Sequence, residues 1–251
     1  MVKMIMRGCN GRMGRVITDI VKADEEIEIV AGIDISGNIY NDYPVYGTLA
    51  EVKEEADVLV DFSAPAGLKE LLRDGIERNM PLVLCSTGYS EEDLKEISVA
   101  SGKVAVFRSA NMSLGINVLE KLVKAAAEIL AAEGFDMEIV ESHHKMKKDA
   151  PSGTAIMLAD ALNSGLPEKY EYVYDRSGRR EPRPKKEIGI SAVRGGSIVG
   201  DHQVIFAGQD EVIEIRHTAY SRAIFGKGAV VAAKFLAGKG AGLYNMHDVI
   251  G

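Results

Sequence analysis

The stretch VKMIMRGCNGRMGRVITDI, from Val2 to Ile20, contains a strand, a turn and the start of a helix. Val2 to Met6 is a short, mainly apolar run of strand length. Gly8, Gly11 and Gly14 follow at once. Val16, Ile17, Ile20 and Val21 then recur at helical spacing. Glycines between a strand and a helix let the backbone approach a pyrophosphate, and the helix end points N–H groups and a positive dipole end at it. The spacing is G-x-x-G-x-x-G, with Asn10 near the place of the middle glycine of the dinucleotide fingerprint G-x-G-x-x-G. Asp34 ends a second strand pattern, Glu26 to Asp34. It lies about 20 residues beyond the last glycine, where an acid holds the ribose hydroxyls of a dinucleotide.

Outward from this unit, the first half alternates short apolar runs with amphipathic stretches. ADVLVDFS, PLVLCSTG and KVAVFRSAN read as three more strands, and Ala66–Arg78 and Glu91–Ser101 as helices between them. Strands separated by helices imply parallel βαβ units and a doubly wound sheet. Ligands of such sheets bind outside the carboxyl ends of the strands. That places Phe62, Ser86, Thr87, Gly88, Asn111 and Met112 near the nicotinamide half of a cofactor.

The second half differs. A long helix pattern ends at Gly134, and DMEIVES follows as a strand. SGTAIMLADALNSG then reads as a helix, with Ser152 as its cap. Residues 166–186 read as a long loop, and Arg176 to Lys186 as a solvated basic segment. Glu187 to Ser221 forms three strands in succession, so this sheet is expected to be mixed or antiparallel, with an open face needing cover. A final amphipathic helix spans Ala223 to Gly238. The boundary between halves falls near Asn111 to Gly115.

Composition narrows the function classes. The 251 residues are 46% hydrophobic and 27% charged, which suits a globular chain with a sizeable core. A net charge of −7 argues against a nucleic-acid binder. Two cysteines, Cys9 and Cys85, are too few for a disulfide framework. No apolar run reaches the roughly 20 residues that span a bilayer, and the N-terminus lacks signal-peptide features. A soluble cytoplasmic protein is expected, with no nucleic-acid or membrane partner.

The densest chemistry lies in ESHHKMKKDAPSGTA, Glu141 to Ala155. Adjacent strand residues face opposite ways, so His143 and His144 are poorly placed to share a metal, and no metal is expected. A histidine can exchange a proton near neutral pH. Lys147 can polarise a carbonyl or imine, or hold a carboxylate. Ser152, Gly153 and Thr154 open a helix, which is a ready anion site. Together they describe a pocket for a small acidic molecule beside a proton donor. His202, His217 and His247 read as structural histidines, and Lys145 and Lys148 as solvated.

GCNGRMG, DFSAPAG, CSTG, SANMSLGIN, ESHHKMKKDAPSGTA and RGGSIVGDHQVIF occur in the order found in dihydrodipicolinate reductases, which the chain resembles along essentially its whole length. The resemblance implies a Rossmann-type domain over residues 1–113, with a C-terminal return over 223–251. It further implies a smaller α+β substrate and oligomerisation domain with a mixed open sheet over 114–222, and a homotetramer in which the substrate-domain sheets pack together. By position, it implies His143 as proton donor and Lys147 as second catalytic residue. His144, Ser152, Gly153 and Thr154 fall at dicarboxylate contacts. Gly8, Asn10, Gly11, Arg12, Met13, Gly14 and Asp34 fall at cofactor positions. So do Cys85, Ser86 and Thr87 of CSTG, and Ser109, Ala110, Asn111 and Met112 of SANM. The implied reaction is reduction of 4-hydroxy-tetrahydrodipicolinate by NADH or NADPH in the diaminopimelate route to lysine. Two departures stand out. Cys85 replaces a glycine of the usual G-T-T-G, and Ile35 stands where some members carry a basic residue after the acid. Ile35 favours NADH, because nothing basic follows Asp34 to attract a 2′-phosphate, although Arg12 offers one cation in the glycine turn. Another Rossmann amino-acid dehydrogenase fits the first half but not the histidine segment. A non-catalytic NAD(H)-sensing protein would have no use for that segment.

Overall fold

A computed structural model describes residues 1–39 and 41–251. The first half runs β1 (Val2–Arg7), α1 (Arg12–Lys22), β2 (Ile27–Ile33), β3 (Val45–Tyr46), β4 (Val58–Asp61), α2 (Leu68–Glu77), β5 (Leu82–Leu84), α3 (Glu91–Ser101) and β6 (Ala105–Arg108). Then come α4 (Leu114–Leu130), β7 (Asp136–His143), α5 (Gly153–Ser164), β8 (Glu171–Val173), β9 (Glu187–Arg194), β10 (Gly200–Ala207) and β11 (Val212–Ala219). The chain closes with α6 (Ala223–Leu236), β12 (Gly242–Tyr244) and α7 (Met246–Ile250). It divides into two compact units, residues 1–113 with 223–251, and residues 114–222.

The first unit holds a parallel sheet of order β12-β6-β5-β4-β1-β2-β3. Buried side chains of β1, Met4 and Met6 on one face and Ile5 on the other, join separate apolar clusters on the two sides of the sheet. Burial on both faces is why these strands read as continuous apolar runs. The order reverses at β1, which pairs with β2 on one side and β4 on the other, so the crevice for a ligand opens beyond Arg7 and Asp61. α1 begins at Gly11 without a side-chain cap and buries Gly14, Ile17, Thr18 and Val21. α6 returns to pack along α1, where a Cβ at Gly226 would meet the Ile20 side chain at 3.0 Å. Lys234 anchors this return with 2.7 Å contacts to Asp24 and Glu26.

Beyond α6, β12 extends the parallel sheet beside β6, a strand of three residues and so too short to show a periodicity. Two readings need correction here. The loop 166–186 contains β8, paired parallel to β9. The segment after it is not a solvated basic loop. Arg176 grips Glu138 through two bonds of 3.0 and 2.8 Å and also reaches Glu187. Arg183 bonds Asp136 and Glu138, and Arg179 bonds Glu187. The carboxylates of β7 and β9 draw the arginines down. Burial would raise the Glu187 carboxyl, but Arg179 and Arg176 hold it below its usual range.

The second unit holds a mixed sheet of order β11-β10-β7-β9-β8. β10 runs antiparallel to β7 and β11, while β9 runs parallel to β7 and β8. Met137 and Ile139 of β7, Val204 and Phe206 of β10 and Ile188 and Ile190 of β9 pack under Ile116, Leu119 and Val123 of α4 and Leu158 and Leu162 of α5. The strict alternation in β7 buries Met137, Ile139, Glu141 and His143 on that one face. A polar pair therefore continues a stripe that begins as hydrophobic core.

Candidate active site

The cofactor candidates gather in the first unit, around the reversal of strand order. Gly8 has φ +80°, a conformation other residues adopt at a cost. A Cβ there would lie 3.0 Å from the Phe62 carbonyl oxygen. A Cβ on Gly14 would lie 2.2 Å from the Gly8 oxygen and 2.6 Å from the Cys9 oxygen, so only glycine lets α1 start against the turn. Asn10 N–H donates to Asp34 Oδ2 at 3.1 Å, and Ser36 N–H donates to Oδ1 at 3.1 Å. Burial alone would raise the Asp34 carboxyl. The donors from Ser36 and Asn10 bring it below its ordinary value, so it is an anion available to hydroxyl donors. Ile35 is fully exposed, and Arg12 and Met13 lie at the start of α1, Arg12 exposed and Met13 half-buried.

Asp61, at the end of β4, is 1% exposed and ties the neighbouring loops together. Its Oδ1 accepts from Arg7 Nη1 at 3.0 Å, from Ser63 Oγ at 2.6 Å and from Ser63 N–H at 3.0 Å, and Oδ2 from Ser86 Oγ at 3.2 Å. Thr87 is exposed beyond Ser86. The Cys85 side chain turns inward to the core, with Sγ 4.0 Å from the Val83 carbonyl, and burial pushes its thiol up. It therefore adds nothing to the loop's outer surface. Met112 is likewise core, and its carbonyl lies 1.6 Å from where a Gly228 Cβ would stand. The Met112 side chain is therefore withdrawn into the core. Ser109 is half-buried, Ala110 is exposed, and Asn111 Oδ1 accepts the Ser113 N–H at 2.8 Å.

The histidine segment lies in the second unit. β7 ends at His143, and Lys147 N–H donates back to the His144 carbonyl at 3.1 Å, closing a turn. The chain passes through a cis Ala150–Pro151 bond into α5. Ser152 caps that helix by accepting the Ala155 N–H at 3.1 Å. Its hydroxyl also meets His202 Nε2 at 3.0 Å and is 1% exposed, so it is engaged internally. Gly153 and Thr154 form the accessible rim. Lys147 Nζ rests 2.9 Å from Asp149 Oδ2, and Asp149, stabilised by Lys147 first, stays below its usual range. His144 is half-buried, and Lys145 and Lys148 are exposed.

Three side chains that are not among the sequence-predicted site residues complete the site. Glu141, fully buried, faces His143 Nδ1 at 2.6 Å. Arg194 clamps Glu141 from β9 through bonds of 2.8 and 2.7 Å. The His202 ring packs edge-on to His143 with centroids 5.1 Å apart. Spacing gives the first of these, since i and i+2 of a strand share a face. Arg194 and His202 come from the register, which sets Arg194 beside His143 and His202 beside Glu141. Burial lowers His143, Glu141 opposes this, and Lys147 and Arg194 reinforce it, leaving the ring below its ordinary value. Among the described residues, no cluster of three or more His, Cys, Asp and Glu side chains forms a metal site. No helix among them is long and apolar enough to cross a membrane.

Comparison with known proteins adds a second line of observation. The family model for the N-terminus of dihydrodipicolinate reductase matches residues 2–112, and that for its C-terminus matches residues 115–250. A 4-hydroxy-tetrahydrodipicolinate reductase of Caldanaerobacter subterraneus subsp. tengcongensis is 56% identical, covering 100% of this chain and 98% of the relative. One from Clostridium tetani is 52% identical, covering 100% and 97%. Among solved structures, a dipicolinate-bound dihydrodipicolinate reductase from Paenisporosarcina sp. TG-14 aligns with a TM-score of 0.81 at 25% identity, covering 98% of this chain and 97% of that one.

Proposed function

The chain belongs to the dihydrodipicolinate reductase family, and from that membership we propose that it reduces 4-hydroxy-tetrahydrodipicolinate to tetrahydrodipicolinate with a reduced nicotinamide cofactor. The product enters the diaminopimelate route of lysine biosynthesis. The observation that carries the assignment to particular residues is the convergence of His143, Lys147 and the α5 N-terminus in the second unit, with a close-packed glycine turn at the start of α1 in the first.

The residues of the first unit fit a dinucleotide: a glycine turn without side chains at its closest approaches, a helix N-terminus and an ionised Asp34. Gly8, Asn10, Gly11, Arg12, Met13 and Gly14 would hold the pyrophosphate. Asp34 would hold the adenosine ribose. Phe62, Cys85, Ser86, Thr87 and the loop Ser109–Met112 would hold the nicotinamide half, Cys85 and Met112 through backbone atoms. A cofactor held there would supply hydride to the conjugated imine left after the substrate loses water, at the carbon that carried the hydroxyl, so the ring C=N bond is kept in the product. NADH is the preferred form, because the residues after Asp34 are uncharged; Arg12 leaves NADPH usable.

Residues 114–222 hold the dicarboxylate. Gly153 and Thr154 bind one carboxylate at the α5 N-terminus, with Ser152 keeping that terminus in place. Lys147 and His144 orient the ring, and Lys147 stabilises negative charge as it develops. Water leaves with the hydroxyl of one ring carbon and a hydrogen of its neighbour, and once hydride has added at the first, His143 gives a proton to the second, the nucleophilic carbon of the resulting enamine. The active form is a cytoplasmic homotetramer, in which the open face of the second sheet, where Val193 and Val212 are exposed, meets its copies.

The test is steady-state reduction of 4-hydroxy-tetrahydrodipicolinate generated in situ, followed by loss of reduced nicotinamide. Turnover is expected with both cofactors and a higher kcat/KM with NADH. No turnover with either overturns the assignment. His143→Ala and Lys147→Ala should each lower kcat about 100-fold or more while NADH affinity holds. A collapse of NADH affinity in either variant would refute the division of labour between the two units.

A further inference from the structure

We propose that Glu141 is the positioning residue of this site: clamped by Arg194 and the Ser152 N–H, it holds the His143 ring with Nδ1 inward and leaves Nε2 as the atom that exchanges a proton with substrate. The inference rests on the reading of His143 as proton donor.

Glu141 is fully buried, and a buried carboxylate is costly unless every oxygen is paired. Oε1 accepts the Ser152 N–H at 2.9 Å and Arg194 Nη2 at 2.7 Å. Oε2 accepts Arg194 Nη1 at 2.8 Å and faces His143 Nδ1 at 2.6 Å. A plain ion pair joining β7 to β9 would need no histidine on its inner oxygen. Here the carboxylate, acceptor-only when ionised, obliges Nδ1 to carry the hydrogen. The far edge of the ring is kept open as well. A Cβ at position 200 would stand 3.1 Å from Nε2, and Gly200 supplies none. The edge-on His202 ring, itself held by Ser152, limits rotation of His143 from the third side.

Arg194 has a second consequence. An unneutralised Glu141 beside His143 would favour a permanent imidazolium. Arg194 cancels that charge, so the ring can both hold and release its proton. The charged or titratable groups facing His143 are Glu141 of β7, Lys147 of the following turn, Arg194 of β9 and His202 of β10. α5 contributes uncharged Ser152.

Glu141→Gln is the direct test. Ser152 N–H and Arg194 Nη2 both donate at the Oε1 position, so the amide carbonyl takes it and the NH₂ group faces Nδ1. The hydrogen of neutral His143 must then move to Nε2. Protein labelled with ¹⁵N-histidine and read by NMR above the histidine titration should show Nδ1–H for His143 in the wild type and Nε2–H in the variant. The kcat should fall about 100-fold or more, the contribution of a placed general acid, with KM changed less than about threefold. The pH profile of kcat should shift as well, which loss of packing alone would not cause. An unchanged tautomer, or an inverted tautomer with kcat within about threefold of wild type, overturns the proposal. If Glu141→Gln does not fold, the wild-type spectrum decides, since an Nε2–H tautomer there refutes it and Nδ1–H supports it. Full turnover in His143→Ala would instead sink the assignment of His143 as donor, whatever the tautomer.

Discussion

Replacing Arg7 with methionine keeps most of the aliphatic stem and removes one charge from a buried pair. Asp61 is 1% exposed and Arg7 17%, so the carboxylate cannot turn to water when its partner is lost. Breaking a buried ion pair by removing one side costs about 3–5 kcal/mol, because a desolvated charge stays behind. Three neutral donors remain to Asp61, from Ser63 N–H, Ser63 Oγ and the longer Ser86 Oγ. These, with the partial exposure of Arg7, place the expected loss at the lower end, about 3 kcal/mol. For a chain of this size, that corresponds to about 6–12 °C in the midpoint of the affected transition. The loss of the Arg7 bond to the Ala66 carbonyl acts in the same direction. Differential scanning calorimetry of Arg7→Met, Asp61→Asn and the double variant reads this directly. The double variant should be more stable than Arg7→Met by about 2 kcal/mol, since no buried charge is stranded. NADH affinity should weaken in Arg7→Met, because Asp61 holds Ser63 and Ser86 in the loops assigned to the nicotinamide half. A midpoint within about 2 °C of wild type, or a double variant no more stable than the single one, would refute the reasoning.

Two more outcomes follow from the same geometry. Gly14→Ala puts a methyl 2.2 Å from the Gly8 oxygen and should displace the glycine turn, raising the NADH dissociation constant at least about tenfold in a fluorescence titration, an effect of order 1.4 kcal/mol; unchanged affinity would show that the turn does not bind the cofactor. Burial pushes His202 from its ordinary 6.5 down to about 4, with His143 nearby adding to the effect, so the unfolded chain takes up this proton first as pH falls. Its contribution to stability is intact above pH 6.5 and is lost progressively toward pH 4, by about 3 kcal/mol. Urea unfolding across that range should be flatter by this amount in His202→Gln, and identical slopes would exclude His202 as the source.

Much of this protein is legible along the chain, and the reason is locality. The strand, glycine turn and helix of Val2–Ile20 are contiguous, so their residue types report one unit, and the position of Asp34 follows from the length of a βαβ repeat. The alternation of β7 sets Glu141 and His143 on a common face, because a strand repeats every two residues. His143, Lys147 and Ser152–Thr154 are also near neighbours in sequence, and a short turn suffices to gather them.

What the chain order cannot convey is who stands opposite. Arg194 reaches Glu141 across 53 residues because β9 lies beside β7, and His202 reaches Ser152 across 50 because β10 sets it opposite Glu141, which holds the Ser152 N–H. His202 therefore reads as an ordinary structural histidine in the sequence, although its ring packs edge-on against His143. Arg7 and Asp61 meet across 54 residues because β1 and β4 are parallel neighbours. Arg176, Arg179 and Arg183 read as solvated in the sequence, yet the strands set Glu138 and Glu187 beneath them. The direction of the Cys85 side chain, inward to the core, was likewise settled only by packing. Local periodicity and turn chemistry thus determined the elements and the types of residue at the site. The pairing of buried charges was decided by tertiary structure alone, since desolvation makes each such charge depend on a partner that only the folded sheet supplies.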